Sequence, residues 1–145
     1  RVVASAAWFA EACATGFNKE WDLLADASKL GLTTSTWAVD TDTMNYQNDI
    51  TNEVASANYT AGGELLANDT FTYTAGTNTW KYTSDPVPWT NVTFTTRYGA
   101  IYDSTPGVAA SNPLILFEDW GGDQTVNAAN FTVTPAAAGW ATITV

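Results

Sequence analysis

Between Trp89 and Trp120 polar and apolar residues alternate. Val92, Phe94, Thr96, Tyr98, Ala100 and Tyr102 fall on one side of an extended segment, and Thr93, Thr95, Arg97, Gly99 and Ile101 on the other. A period of two is the signature of a β-strand, whose successive side chains point to opposite faces. Thr105-Pro106-Gly107 then interrupts the pattern with a residue of fixed φ and one that tolerates turn geometry. Pro113-Leu114-Ile115-Leu116-Phe117 follows as an unbroken apolar run, the pattern of a strand covered on both faces. The two segments are predicted to be neighbouring central strands, with Gly121-Gly122-Asp123 closing the second.

The flanking pattern supplies the cover. Ser5 is placed to cap a short helix running to about Thr15, with Gly16 as its left-handed end and Trp8, Phe9, Ala12 and Cys13 on one face. Ser28 to Thr34 is expected as the first strand, and Asn52 to Asn58 as a short helix or an edge strand. Thr70 to Thr74 and Thr79 to Tyr82 read as a hairpin about Ala75-Gly76-Thr77-Asn78, with Phe71, Tyr73, Trp80 and Tyr82 on matching faces. Asp85-Pro86-Val87-Pro88 punctuates before the central pair, because proline does not fit a central strand. Phe131 to Thr134 and Trp140 to Val145 read as a last hairpin. Short strands, turn-rich connections and abundant Thr, Val and aromatics predict a mostly β chain: an antiparallel β-sandwich or barrel-like domain with a short N-terminal helix. Residues 1–16 form the helical segment or arm, and residues 17–145 a single β domain.

Composition narrows the function classes. At 145 residues the chain has the length of one domain with a sizeable core, and 46% apolar against 14% charged residues excludes a disordered polyelectrolyte. A net charge of −10 with five basic residues argues against a nucleic-acid or anionic-membrane surface, since phosphate contacts need closely spaced Lys or Arg. Cys13 is the one cysteine, so it forms no internal disulfide, and a buried, inert thiol is expected.

Chemistry-bearing residues are sparse. The chain has no His, which removes the usual base of Ser or Cys nucleophiles and the imidazole ligands of most catalytic zinc sites. Asp40 and Asp42 have the spacing of the first two ligands of a calcium loop, but Met44 stands at the third position and the loop glycine is missing, so an ordinary solvated loop is expected. Glu53, Glu64, Glu118 and Asp119 are the carboxylates set among aromatics that could serve a glycosidase. Glu118-Asp119-Trp120 is the best local candidate, yet adjacent strand residues face opposite ways and do not line one cleft without a bulge. No catalytic residue, metal site or cofactor is therefore assigned.

One ordered set of segments is distinctive: Asn48-Asp49-Ile50-Thr51-Asn52-Glu53-Val54, Tyr59-Thr60-Ala61-Gly62-Gly63, Arg97-Tyr98-Gly99-Ala100-Ile101-Tyr102-Asp103 and Pro113-Leu114-Ile115-Leu116-Phe117, continuing through Asp119-Trp120-Gly121-Gly122-Asp123-Gln124 and Asn130-Phe131-Thr132-Val133. From about Phe17 onward the chain resembles a family of small virion structural proteins of tailed bacteriophages, described as head-decoration or tail-associated proteins. The resemblance implies a non-enzymatic assembly protein on the exterior of the virion. Its expected role is capsid decoration, with the major capsid protein or other virion proteins as partners and a homo-oligomeric state. A tail or head-fibre component is the alternative within that class. A secreted carbohydrate-binding β module, using exposed Trp and Tyr rings, is the alternative outside it. Trp8, Phe9, Trp37 and Trp140 are the candidate protein–protein interface residues: the first two are large aromatics near a terminus, and the others lie outside the resembling segments.

Overall fold

The computed structural model describes residues 5–145. Its elements are strand β1 (Ser5–Trp8), helix α1 (Ala10–Phe17), and strands β2 (Ser28–Thr33), β3 (Glu64–Leu65), β4 (Thr70–Thr74), β5 (Thr79–Thr83), β6 (Val87–Asp103), β7 (Leu114–Val133) and β8 (Ala141–Thr144). Two antiparallel sheets form, ordered β1-β7-β6-β2-β3 and β4-β5-β8. They are not closed into a barrel, so of the two predicted architectures the sandwich is the one that forms. The first four residues of the expected 1–16 arm lie outside the described residues.

The predicted central pair is the spine. β6 and β7 lie side by side in the middle of the larger sheet, and the apolar 114–117 run is covered on both faces, as its pattern predicts. Leu116, Ile101, Leu30 and Leu32 pack with Tyr82, Trp89 and Trp140 in the core that includes the smaller sheet. Leu114, Ala100 and Tyr102 pack on the other side with Phe9, Ala12 and Trp37. Burial of these side chains supplies the main driving force, at roughly 1.5–3 kcal/mol for each large apolar group.

Bulges overturn part of the predicted phase. Thr96 pairs with Gln124 but Tyr98 with Asp119, so residues 120–123 of β7 stand opposite Arg97 alone. The extra residues invert the faces of β6: Val92 and Phe94 enter one core, whereas Ala100 and Tyr102 enter the other. Gly121, at φ +76°, turns within this bulge, and Gly121-Gly122-Asp123 bends β7 without ending it. The strand continues to Val133, where Phe131 faces Trp89 and Val133 faces Val87. The expected last hairpin is therefore replaced: residues 131–133 belong to the long ribbon, and β8 crosses to the other sheet to pair with β5. Pro88 is tolerated because it sits at the exposed start of β6.

The N-terminus also departs from its pattern. Ser5 lies in β1 opposite Asp119, and the helix begins after Phe9. Gly16 is inside α1, against the Trp21 ring, and the left-handed residue beyond the helix is Lys19 at φ 60°. Cys13 is exposed, correcting the expected buried thiol. By contrast, the 70–83 hairpin forms in the predicted register, with Phe71 opposite Tyr82, Tyr73 opposite Trp80, and the Phe71 and Trp80 rings stacked at 4.8 Å.

Candidate functional site

The distinctive segments meet in a structural clasp. Glu53 Oε1 accepts hydrogen bonds from Tyr59 Oη (2.7 Å) and the Gly62 amide (2.6 Å). Tyr59 Oη accepts in turn from the Leu32 amide (3.0 Å), and Tyr102 Oη donates to the Gly62 carbonyl (2.6 Å). Burial raises the Tyr102 hydroxyl to about 12 and holds that of Tyr59 higher still, so both stay protonated as donors. Gly63 has φ +78°, and a Cβ there would overlap the Leu30 carbonyl, which explains the Gly62-Gly63 pair as a close approach of backbones. Every one of these groups serves the chain itself. Asp40 does likewise: it accepts from Thr43 Oγ1 (2.7 Å) and the Asp42 amide (2.9 Å), and these bonds lower its carboxyl below the usual range.

Glu118 and Asp119 lie on opposite sides of the sheet and in opposite states. Asp119 receives Arg97 Nε at 2.8 Å and Nη2 at 3.4 Å, and this bond holds its carboxyl below the ordinary value. Glu118 sits between Ala6 of β1 and Gly99 of β6, neighbours that bring no polar side chain. It is 2% exposed, and its Oε1 has no hydrogen-bond partner. Desolvation pushes the carboxyl up to about 9, so it carries its proton at neutral pH. It lines a cavity of about 240 Å³ between β1 and the segment returning to β8, walled by Trp8, Val133, Ala136, Trp140 and Thr142. Among the described residues no second carboxyl lines this cavity.

A second concavity adjoins it and shares Trp8 and Thr142. This open groove, about 510 Å³, is lined by Trp8, Cys13, Phe17, Trp21, Leu23, Phe71 and Ile143 and is almost wholly apolar. Phe17 at the end of α1 is 89% exposed, and Ile143 on β8 is 40% exposed. Trp21 is fixed at the groove by its indole N–H, which donates to Thr15 Oγ1 (3.0 Å) and the Ala12 carbonyl (3.2 Å).

Of the four expected interface residues, Trp8 alone is partly exposed, and it lies where the cavity and the groove meet. Phe9, Trp37 and Trp140 are 0%, 2% and 3% exposed within their own domain and offer a partner almost no surface. The Trp37 indole donates to the Asp49 carbonyl (3.1 Å), and that of Trp140 to Ser84 Oγ (2.9 Å), so their polar tips are satisfied internally. Sequence reasoning missed Phe17, Trp21, Phe71 and Ile143 as a surface, because α1 with the loop after it, β4 and β8 contribute them from distant parts of the chain. The single local signal was Phe17, a large aromatic at the end of α1. Comparisons with protein-family models, curated proteins and solved structures found no match to this chain.

Proposed function

We propose that this chain is a non-enzymatic virion structural protein of a tailed bacteriophage, a capsid decoration protein that docks on the major capsid protein through the groove beside Trp8. The observation that carries the assembly reading is that groove: rigid aromatic and aliphatic side chains held open on a sandwich scaffold, with Phe17 projecting into solvent. Exposed apolar surface of this kind is what protein–protein contacts bury. The narrower assignment to the phage head rests on the ordered segments that resemble the virion family. Each docked copy would favour the assembled particle by its binding free energy, and the net charge of −10 would steer docking toward a basic capsid face.

The test is the copy number of the chain relative to the major capsid protein in purified particles, by quantitative mass spectrometry. A fixed ratio comparable with capsid subunits or capsomers is expected, and Phe17→Ser should lower it while changing the free protein's stability by less than about 0.5 kcal/mol, as usual for a surface site. A ratio of a few copies per particle points to the tail or a fibre, and absence from particles removes the virion reading.

A further inference from the structure

We propose that the cavity between β1 and the segment returning to β8 is a binding site for a primary ammonium group carried on a short alkyl chain, with Glu118 as its anchor. A carboxyl 2% exposed, with an oxygen that no donor among the described residues reaches, is an unmet hydrogen-bonding demand in the core. It sits at the wall of a cavity of about 240 Å³, large enough for an alkylamine. The remaining walls suit the shaft of such a ligand, with Ala136 and Ala138 giving hydrocarbon contacts and Trp8 giving an indole surface that favours a cation.

The charge of the ligand follows from what surrounds the carboxyl. Among the described residues no Lys or Arg lines the cavity, and Glu118 is the one ionisable group there. Asp119 and Arg97 answer each other on the opposite face of the sheet. The chain as a whole is strongly acidic, so a cation is drawn in and an anion repelled. An ammonium fits better than a guanidinium. The planar guanidinium fork requires both carboxylate oxygens side by side, whereas Oε1 is sealed from solvent and a compact ammonium needs only one oxygen to approach. In the empty cavity the acid holds its proton; on binding it releases that proton to solvent and becomes the counter-ion, so association is linked to pH. This site does not depend on the virion reading, because the ammonium can belong to a free amine or to a lysine side chain of another protein.

Titration with n-butylammonium, followed by tryptophan fluorescence and by the carboxyl carbon shift of Glu118, tests the proposal. Saturable binding is expected, tightening by about tenfold per pH unit from pH 6 to 8 because one proton must leave. Glu118→Gln matches the protonated acid in shape and charge and should keep the fold, while weakening binding by about tenfold or more through loss of the charge-assisted bond. A lysine-containing peptide, compared with its Nε-acetylated form, identifies the source. Saturation by butylammonium assigns free amines, and saturation by the unmodified peptide alone assigns a protein side chain. No saturation by either probe, equal binding by Glu118→Gln, or affinity independent of pH overturns the proposal.

Discussion

Glu53 and Glu118 are the same residue type in the same domain and have been put to opposite uses. Glu53, half-buried at the clasp, is surrounded by donors from Tyr59 and Gly62 and holds together the long connection between β2 and β3. Glu118, almost wholly buried, lies between Ala6 and Gly99 and faces a cavity with no donor on Oε1. A carboxylate whose oxygens are answered by the chain is architecture, because its hydrogen bonds offset the loss of water. A buried carboxyl that the chain leaves unanswered keeps its proton and stays available to a ligand. The contrast separates the parts of this molecule that complete the fold from the part that is open to chemistry.

The largest expected effect comes from pH at Glu118. Its folded carboxyl titrates at about 9, above an unfolded value of about 4.3, so between those pH values the folded state keeps a proton that the unfolded state has released. Stability should be greatest below the lower value and fall by on the order of 1 kcal/mol per pH unit up to the higher one, then level off. Glu118→Gln removes that slope; denaturant titrations from pH 5 to 9 in which both proteins lose stability in parallel would erase the contrast. At the clasp, Gly63→Ala combines a disfavoured φ of +78° with overlap on Leu30 and should cost on the order of 3–4 kcal/mol, measured as a fall in the urea midpoint. A loss below 1 kcal/mol would mean that the backbones do not meet as closely as described. Tyr59→Phe deletes the donor to Glu53 and the acceptor for Leu32 and should cost about 1–3 kcal/mol, a smaller effect. A loss below about 0.5 kcal/mol would show that the chain answers Glu53 less fully than its surroundings indicate.

Local pattern carried the strands and the class of fold because the alternation of Phe71, Tyr73, Trp80 and Tyr82, or the apolar run at Leu114–Phe117, records which faces must leave water. It also placed Glu118 and Asp119 on opposite faces, since that follows from the strand period alone. The phase failed at Thr96–Tyr98, where extra residues in a partner strand invert the faces of β6, and no periodicity in β6 itself encodes a bulge in β7. Ser5 failed for a related reason. Its capping chemistry is local, but pairing with Asp119 along the edge of β7 satisfies the same backbone groups in a strand.

The sequence by itself determined a weakly charged, acidic, mostly β domain built on two long central strands, because burial of alternating side chains is written residue by residue along the chain. Tertiary structure alone decided which aromatics are core and which are surface, and which carboxyl is answered. Phe9, Trp37 and Trp140 are enclosed while Phe17 is exposed. Glu53 has partners while Oε1 of Glu118 has none. Those outcomes depend on residues brought together from distant positions, and the free energy of a polar or apolar group is set by what surrounds it in space, which its neighbours in sequence do not specify.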